Sequence, residues 1–321
     1  MAHVINWLRK GSVVLILIVI AGLLAALAPE FLGLNNLLTV ALQTSIIALV
    51  AVGMTFTIIT GGIDLSVGSV AALCGALAAG LAARQQLGSY PSILIALAVG
   101  AALGGVSGAL IVWGRIPPFV ATLAMMAAAR GLTLVYTEGR PIAGLDAQFT
   151  FWGTGDVAGI PTPVIVVALV ALAAYFLLTQ TAFGLHVFAV GGGEETARLA
   201  SVPSRRIKFG AYVLSGLCSA LAGVILAARL WSAQPNAGVG LELDAIAAAV
   251  LGGSSLAGGV GGIGGTVAGA LIIGVLSNGL NLLEVPSYNQ QVVKGLVFIV
   301  AVLLDYVLKR RWPAGAQAPT T

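Results

Sequence analysis

The chain has 321 residues, of which 59% are hydrophobic and 8% charged, with a net charge of +4 and a mean hydropathy of +1.06. Soluble domains carry about 25% charged residues, so this composition excludes a protein whose whole surface faces water. It predicts an all-α polytopic membrane protein whose main partner is the lipid bilayer. The positive charge does not indicate nucleic-acid binding, because basic residues in a membrane chain report its orientation.

About ten apolar stretches approach the roughly 20 residues that a helix needs to cross a bilayer. Glycine and proline turns separate them, and we treat residues 1–321 as one transmembrane domain. The stretches are 11–28, 37–60, 65–83, 92–113, 119–137, 163–179, 207–229, 241–256, 260–283 and 291–308. The eighth stretch is short and begins with Glu242 and Asp244, so the sequence leaves open whether it crosses completely.

The distribution of lysine and arginine predicts the orientation of these spans, because basic loop residues favour the cytoplasmic side. With ten spans and the N-terminus inside, the basic residues on that side are Arg9, Lys10, Arg115, Arg198, Arg205, Arg206, Lys208, Lys309, Arg310 and Arg311. Only Arg84, Arg140 and Arg229 then fall outside. We therefore expect cytoplasmic termini, a cytoplasmic loop at 180–206 and an outer loop at 138–162.

The segment TGGIDLSVGS at 60–69 places a carboxylate between two apolar stretches. Gly61 and Gly62 break the chain, and Asp64 or Ser66 can then accept hydrogen bonds from the free N–H groups that start the next helix. We expect these four residues to form a helix cap, and a structural role near a moving gate is one alternative. A direct contact between Asp64 and a substrate or proton is the other alternative.

The same glycine pattern returns later in the chain. The pattern G-G-x-x-L-x-x-G occurs twice at an offset of 191 residues, with the matched positions Gly61, Gly62, Leu65 and Gly68, and Gly252, Gly253, Leu256 and Gly259. Both copies follow a span that enters from outside, so we expect a parallel internal repeat, which is a transporter architecture. The repeat predicts broken helices near Gly61–Gly62 and near Gly252–Gly253.

Uncharged polar side chains within the spans are candidates for a substrate pathway. Amides and hydroxyls can both donate and accept hydrogen bonds, as binding of a neutral polyhydroxylated solute requires. The candidates are Gln43, Thr55, Asn278 and Asn281. The two asparagines are three positions apart and would share one helix face. Hydrogen bonding between helices is the alternative role for each candidate.

The sequence contains no pattern typical of an enzyme. None of its lysines lies in the G-K-[ST] context of a Walker A motif, so we expect no nucleotide site in this chain. His3 and His186 are isolated, and Cys74 and Cys218 lie in apolar stretches. We therefore expect no catalytic residues, no metal site and no cofactor here.

Four motifs occur in order along the chain. They are NNLL at 35–38, VGMTFTIITGGIDLSVGS at 52–69, ARLWSAQPNAGVGLELDAIAAAVLGGSSLAGG at 228–259 and SNGLNLL at 277–283. Together they resemble the permease subunits of bacterial ABC importers for monosaccharides, in the ribose, xylose and autoinducer-2 branch. The resemblance extends from about Leu32 to Leu308.

The resemblance implies a multi-pass protein of the bacterial inner membrane that works as a homodimer by alternating access. It implies a separate cytoplasmic ATPase, which would hold ATP and Mg²⁺, and a periplasmic sugar-binding protein. The expected cargo is a ribose-like monosaccharide. Import of branched-chain amino acids or nucleosides, or a stand-alone secondary transporter, are the alternatives.

The segment GGGEETARLASV at 191–202 departs from the GGNEAAARLSGI that is common in this family. Its central part predicts a short cytoplasmic helix in which Glu194 and Arg198 form an i, i+4 pair. With Leu199, these residues are the expected contact for the ATPase. Ser201 stands where relatives have a glycine that would end this helix.

Overall fold

The structure is a computed structural model that describes the backbone of residues 2–311 and the side chains of residues 13, 15–300, 302 and 303. Within residues 2–311 the chain forms thirteen α-helices: α1 Ala2–Leu27, α2 Leu34–Ile59, α3 Val67–Ala83, α4 Ser89–Val112, α5 Pro118–Thr137, α6 Ala147–Thr154, α7 Thr162–Gln180, α8 Ala182–Gly192, α9 Glu194–Leu199, α10 Ser204–Arg229, α11 Leu241–Leu251, α12 Ile263–Leu282 and α13 Ser287–Arg311. A short 3-10 helix, Pro29–Leu32, precedes α2. The expected all-α membrane architecture is confirmed.

Four two-residue strands complete the described secondary structure: β1 Ile142–Ala143, β2 Asp156–Val157, β3 Ile160–Pro161 and β4 Ser232–Ala233. Strand β1 pairs with β4, and β2 pairs with β3, both antiparallel. The segment predicted as an outer loop, 138–162, therefore contains three strands and helix α6. Asp146 begins α6 by accepting hydrogen bonds from the N–H of Phe149 (2.8 Å) and the hydroxyl of Ser89 (2.6 Å).

The predicted spans fall on α1, α2, α3, α4, α5, α7, α10, α11, α12 and α13. Six helices in the described part of the chain are long and apolar enough to cross a membrane: α2, α4, α5, α7, α10 and α12. The side chains of Arg9, Lys10, Lys309, Arg310 and Arg311, on which the predicted orientation partly depends, lie outside the described residues.

Helix α10 lies at the centre of the molecule and packs against α2, α3 and α4. Glycines permit this close contact: a Cβ added to Gly216 would overlap the carbonyl oxygen of Gly100, and one added to Gly223 would overlap that of Ala71. Lipid is as apolar as leucine, so close backbone packing is a main source of helix association in membranes. The many glycines of the chain thus act mainly in packing.

The eighth predicted span, 241–256, contains only a short helix, which a turn-rich segment precedes. Helix α11 has 11 residues, about 16 Å at 1.5 Å per residue, which is half of the ~30 Å hydrocarbon core. The preceding chain, 232–238, lies along α3, and a Cβ added to Gly68 would overlap the carbonyl oxygen of Gly238. A turn-rich segment followed by a half-length helix therefore occupies the place of a complete transmembrane helix.

Candidate functional site

Helix α2 ends in a glycine-dependent Schellman motif. The N–H of Gly61 bonds to the carbonyl of Ile58, and the N–H of Gly62 bonds to the carbonyl of Thr57, both at 2.9 Å. Gly61 has a left-handed φ of +79°, which glycine adopts without a steric penalty from Cβ. The predicted break at Gly61–Gly62 is therefore confirmed.

Helix α11 ends with the same motif. The N–H of Gly253 bonds to the carbonyl of Val250, and that of Ser254 to the carbonyl of Ala249, again at 2.9 Å. Gly253 has a φ of +92°. It is thus the structural counterpart of Gly61, at an offset of 192 residues and not the 191 of the sequence match.

The two breaks continue with matching turns. The N–H of Ser66 bonds to Oδ1 of Asp64 at 3.0 Å, and the N–H of Ala257 bonds to Oγ of Ser255 at 3.3 Å. Asp64 and Ser255 are 191 positions apart, as in the sequence match. The offset is one residue smaller than that of the two glycines, because one residue fewer separates Gly253 from its turn than separates Gly61 from the turn of Asp64. Shared local conformation supports the internal repeat, and its parallel arrangement stays a prediction.

Asp64 is buried, with 1% of its surface exposed. Its Oδ1 accepts hydrogen bonds from the N–H (3.0 Å) and hydroxyl (2.6 Å) of Ser66, and Oδ2 accepts one from the hydroxyl of Ser215 on α10 (2.7 Å). Ser66 is the N-cap residue of α3, but no side chain caps this helix. Asp64 thus accepts an N–H at the start of the predicted third span, just before α3, and also connects this turn to α10, whereas Ser66 does not cap the helix.

Two of the four pathway candidates bond to another helix. The hydroxyl of Thr55 on α2 is buried and lies 2.7 Å from that of Thr266 on α12. Asn278 on α12 is 3% exposed. It exchanges two amide hydrogen bonds with Asn36 on α2, at 3.0 and 2.8 Å. Both contacts are hydrogen bonds between helices, the role that the sequence left open as the alternative to substrate binding. A pathway role for either residue stays a prediction.

The other two candidates differ from these. Oε1 of Gln43 is buried without a hydrogen-bond partner among the described residues. Asn281 is exposed, and its Oδ1 accepts a hydrogen bond from Gln290 at 2.8 Å. Asn278 and Asn281 therefore have different surroundings despite their spacing. Gln43 and Asn281 retain polar capacity that a solute could use.

The segment predicted as a cytoplasmic loop, 180–206, contains the helices α8 and α9. Val187 and Val190 of α8 are buried against Phe56 and Ile59 of α2. Helix α9 covers the EETARL part of the predicted short helix, and Ala197 faces the interior with 4% exposure. This segment is therefore a folded part of the molecule that packs on the end of α2.

The predicted pair between Glu194 and Arg198 is wrong. Arg198 makes a double contact with Glu195, from Nε to Oε2 at 3.0 Å and from Nη2 to Oε1 at 2.5 Å. Glu194 pairs with Lys208 on α10. Residue 194 begins α9 and lies beside α10, so its partner comes from that neighbouring helix. The hydrogen bond from Arg198 lowers the pKa of the Glu195 carboxyl.

Leu199, in contrast, is 74% exposed at the end of α9. Beside α9 lies an open groove of about 770 Å³. Its charged lining residues are Arg115, Glu194, Glu195, Arg198, Arg205, Arg206 and Lys208. An exposed leucine beside such a groove is suited to contact with another protein.

Sequence reasoning missed two contacts of charged residues inside the bundle. Arg130 on α5 donates from Nη1 to the carbonyls of Pro235 and Ala237, both at 2.9 Å, and so fixes the turn-rich segment before α11. Lys294 on α13 pairs with Asp244 on α11 at 2.7 Å. Each pair joins positions 50 or more residues apart, so no local pattern could reveal it. Across the described residues, no group of three His, Cys, Asp or Glu side chains could hold a metal.

Long apolar helices, two helix breaks and polar groups within the bundle define a polytopic membrane transport protein. The chain belongs to the family described as branched-chain amino acid transport system / permease component, which it matches over residues 36–302. The resemblance inferred from the four motifs is confirmed at this level.

Curated relatives cover nearly the whole chain. The ribose import permease protein RbsC of Escherichia coli (strain K12) is 48% identical over 303 residues, 93% of this chain and 94% of the relative. RbsC of Bacillus subtilis (strain 168) is 48% identical over 305 residues, 94% of each chain. The D-allose transport system permease protein AlsC of E. coli (strain K12) is 38% identical, covering 95% of this chain and 93% of the relative. No solved structure matches the chain.

Proposed function

We propose that this chain is the membrane-spanning subunit of an ATP-driven importer for a ribose-like monosaccharide, and that it works as a homodimer by alternating access. The observation that carries the proposal is its 48% identity to ribose permeases of two bacteria over at least 93% of the chain. Identity to the allose permease is lower, at 38%. Ribose is therefore the first sugar to test.

A separate ATPase, which would hold ATP and Mg²⁺, is the proposed partner at α9. The exposed Leu199 and the charged groove beside it support this contact. The groove brings Arg115, Arg205 and Arg206 together with α9 at one end of the bundle. Because basic residues favour the cytoplasmic side, this end is the proposed cytoplasmic face, with both termini inside an inner membrane. A periplasmic binding protein would deliver the sugar to the opposite face.

Asp64 is proposed to help couple α9, at the proposed cytoplasmic face, to the first helix break inside the bundle. Its bond to Ser215 attaches the first helix break to α10, and the pair of Glu194 with Lys208 attaches α9 to the same helix. Movement of α9 would then displace α10 and the break together. Among the pathway candidates, exposed Asn281 can meet a sugar hydroxyl directly, whereas the buried Oε1 of Gln43 must first become accessible and Asn278 must first give up its bonds to Asn36.

Reconstitution of the complex that purifies with this chain tests the proposal. Proteoliposomes should take up radiolabelled D-ribose only when two conditions are met. ATP must be supplied on the side of the membrane that carries the ATPase, and the binding protein must be present on the opposite side. Uptake driven by a proton gradient without ATP would instead identify a secondary transporter. Uptake of L-leucine or adenosine without ribose uptake would identify one of the other cargo classes.

A further inference from the structure

The two helix breaks touch each other through their backbones. The N–H of Gly259, beyond α11, donates a hydrogen bond to the carbonyl oxygen of Ile59, the last residue of α2, at 2.8 Å. The last carbonyls of a helix have no partner within it, so this bond satisfies a group that the break would otherwise leave open. It also joins the two copies of the repeat directly.

The end of α8 lies on this bond. A Cβ added to Gly191 would overlap the carbonyl oxygen of Ile59 and would lie 2.5 Å from the nitrogen of Gly259. Gly258, with a φ of +85°, faces the same place: its added Cβ would lie 2.9 Å from the carbonyl oxygen of Gly191 and 3.1 Å from Cα of Gly61. Three chain segments, 59–61, 191–192 and 258–259, thus meet without intervening side chains, and we call this contact the glycine junction.

The junction is close to the exposed part of the molecule. Gly191 precedes the first residue of α9, Glu194, by three positions, and α9 carries the exposed Leu199. On the other side, Gly61 leads into the turn of Asp64, and Gly259 leads into α12. A displacement of α9 therefore reaches both breaks through one backbone contact, because no flexible side chain lies between them.

We propose that Gly191, Gly258 and Gly259 are positioning residues that transmit movement of α9 to both helix breaks in one step. The proposal rests on the proposed function, in which a separate ATPase moves α9. It goes beyond that function because it assigns the synchrony of the two repeat copies to a contact inside one chain. Tightly packed contacts have few alternative arrangements, which makes them suited to all-or-none changes.

Two matched pairs of variants isolate the junction. Gly191→Ala and Gly192→Ala raise the helix propensity of α8 alike, but a Cβ at Gly192 meets no atom within 4 Å. Gly258→Ala and Gly144→Ala impose the same left-handed strain, because φ is +85° and +87°, but a Cβ at Gly144, outside both breaks, meets no atom within 4 Å. Only the first member of each pair separates the three segments.

The importer reconstituted with its ATPase and binding protein provides the first measurement. Gly191→Ala and Gly258→Ala should keep the ATPase bound and hydrolysing ATP, while D-ribose moved per ATP falls about fivefold or more, the lower range of measured coupling between sites. Gly192→Ala and Gly144→Ala should keep the ratio of the unmodified chain. An unchanged ratio in the first two variants would overturn the proposal, and so would their loss from the membrane, which would make the junction a folding contact.

Hydrogen exchange provides a measurement that does not depend on the sugar. Adding the ATPase should change exchange in 60–66 and 254–262 together in the unmodified chain and in Gly192→Ala, but not in Gly191→Ala. A response of one segment alone in the unmodified chain would contradict the proposed synchrony. Failure of the proposed function would appear differently, as an unmodified chain that binds no ATPase.

Discussion

The helix breaks and the surface of α9 use similar polar groups in opposite ways. Asp64 is 1% exposed and accepts three hydrogen bonds from two serines. The Arg198 and Glu195 side chains pair with each other while 65% and 71% of their surfaces remain exposed. Solvent competes with the partner in an exposed ion pair, whereas a buried polar group that loses its partner has no solvent to replace it.

This difference in exposure distinguishes polar residues that stabilise the fold from polar residues that can bind another protein. A buried polar residue has partners that are fixed by packing, so its replacement should affect assembly and coupling. An exposed one has solvent as an alternative partner, so its replacement should affect only the binding of another protein. The following variants test that division in order of their expected effect on the free energy of unfolding.

Replacement of Asp64 should have the largest effect. Asp64→Leu removes three hydrogen bonds to a carboxylate, each worth about 1.5–3 kcal/mol, and should greatly reduce folded permease and ribose uptake. Asp64→Asn should retain most of both, because its amide can accept from Ser66 and donate to Ser215. Thermal unfolding in detergent and uptake in vesicles measure the two effects.

The second break supplies a control, since Ser255→Ala removes only one neutral bond, worth about 0.5–1.5 kcal/mol. Asp64→Asn could instead lose transport as completely as Asp64→Leu at normal expression. The charge of Asp64 would then act in transport, and the distinction between buried structural residues and exposed binding residues would not hold for Asp64.

The two asparagines of α12 compare burial on one helix. Asn278→Ala removes the two amide hydrogen bonds to half-buried Asn36, each worth about 0.5–1.5 kcal/mol. Asn281→Ala should leave stability unchanged, since Asn281 is exposed. Thermal unfolding measures both, and sugar flux at matched expression tests the pathway role. Equal destabilisation by the two variants would contradict the different surroundings described above, and unchanged flux in both would remove them from the pathway.

Ser201→Gly should stabilise the end of α9. Ser201 has a φ of +63° and occupies the glycine position of a Schellman motif, with its N–H bonded to the carbonyl of Arg198 at 3.0 Å. Relief of this left-handed strain should increase stability by roughly 1 kcal/mol. A rise in the unfolding temperature of the purified permease is the expected result. A fall would show that the Ser201 side chain makes a contact that outweighs the strain.

Arg198→Glu with Leu199→Asp should have the smallest effect on unfolding and a clear effect on binding. Both side chains are exposed, so membrane insertion should be unchanged while co-purification of the ATPase falls. If this double variant binds its ATPase and imports sugar at the unmodified rate, the contact surface lies elsewhere. Thr196→Ala, an exposed replacement on the same helix, is the control.

The same region predicts a pH dependence. Arg198 lowers the pKa of Glu195, so the pair contributes fully above the ordinary carboxyl pKa and is lost only as pH falls through the lowered value. Recovery of the ATPase with the permease should therefore be constant at neutral pH and decline only in acid. A decline already between pH 6 and 8, in the range of histidine titration, would assign the dependence to another group.

Local patterns in the chain predicted much of this fold. The apolar stretches located the helices, and Gly61 and Gly253 ended α2 and α11 where the repeated glycine motif placed breaks. The EETARL sequence located α9. These features can be predicted locally. The length of an apolar stretch and the backbone conformation at a glycine both depend on residues that are close together in the sequence.

The partners of the buried polar groups depend on how distant helices pack together. Asp64 bonds to Ser215, 151 positions away, and Asn278 bonds to Asn36, 242 positions away. The NNLL motif contained Asn36 as a visible signal, but nothing in the sequence paired it with Asn278. Likewise, the glycine junction joins segments from three parts of the chain. Local patterns located the long apolar helices and the two glycine breaks, but not α6 or α8, which lie in segments predicted as loops. Packing sets the polar partners, because hydrogen bonds between helices depend on orientation and depth that no local spacing encodes.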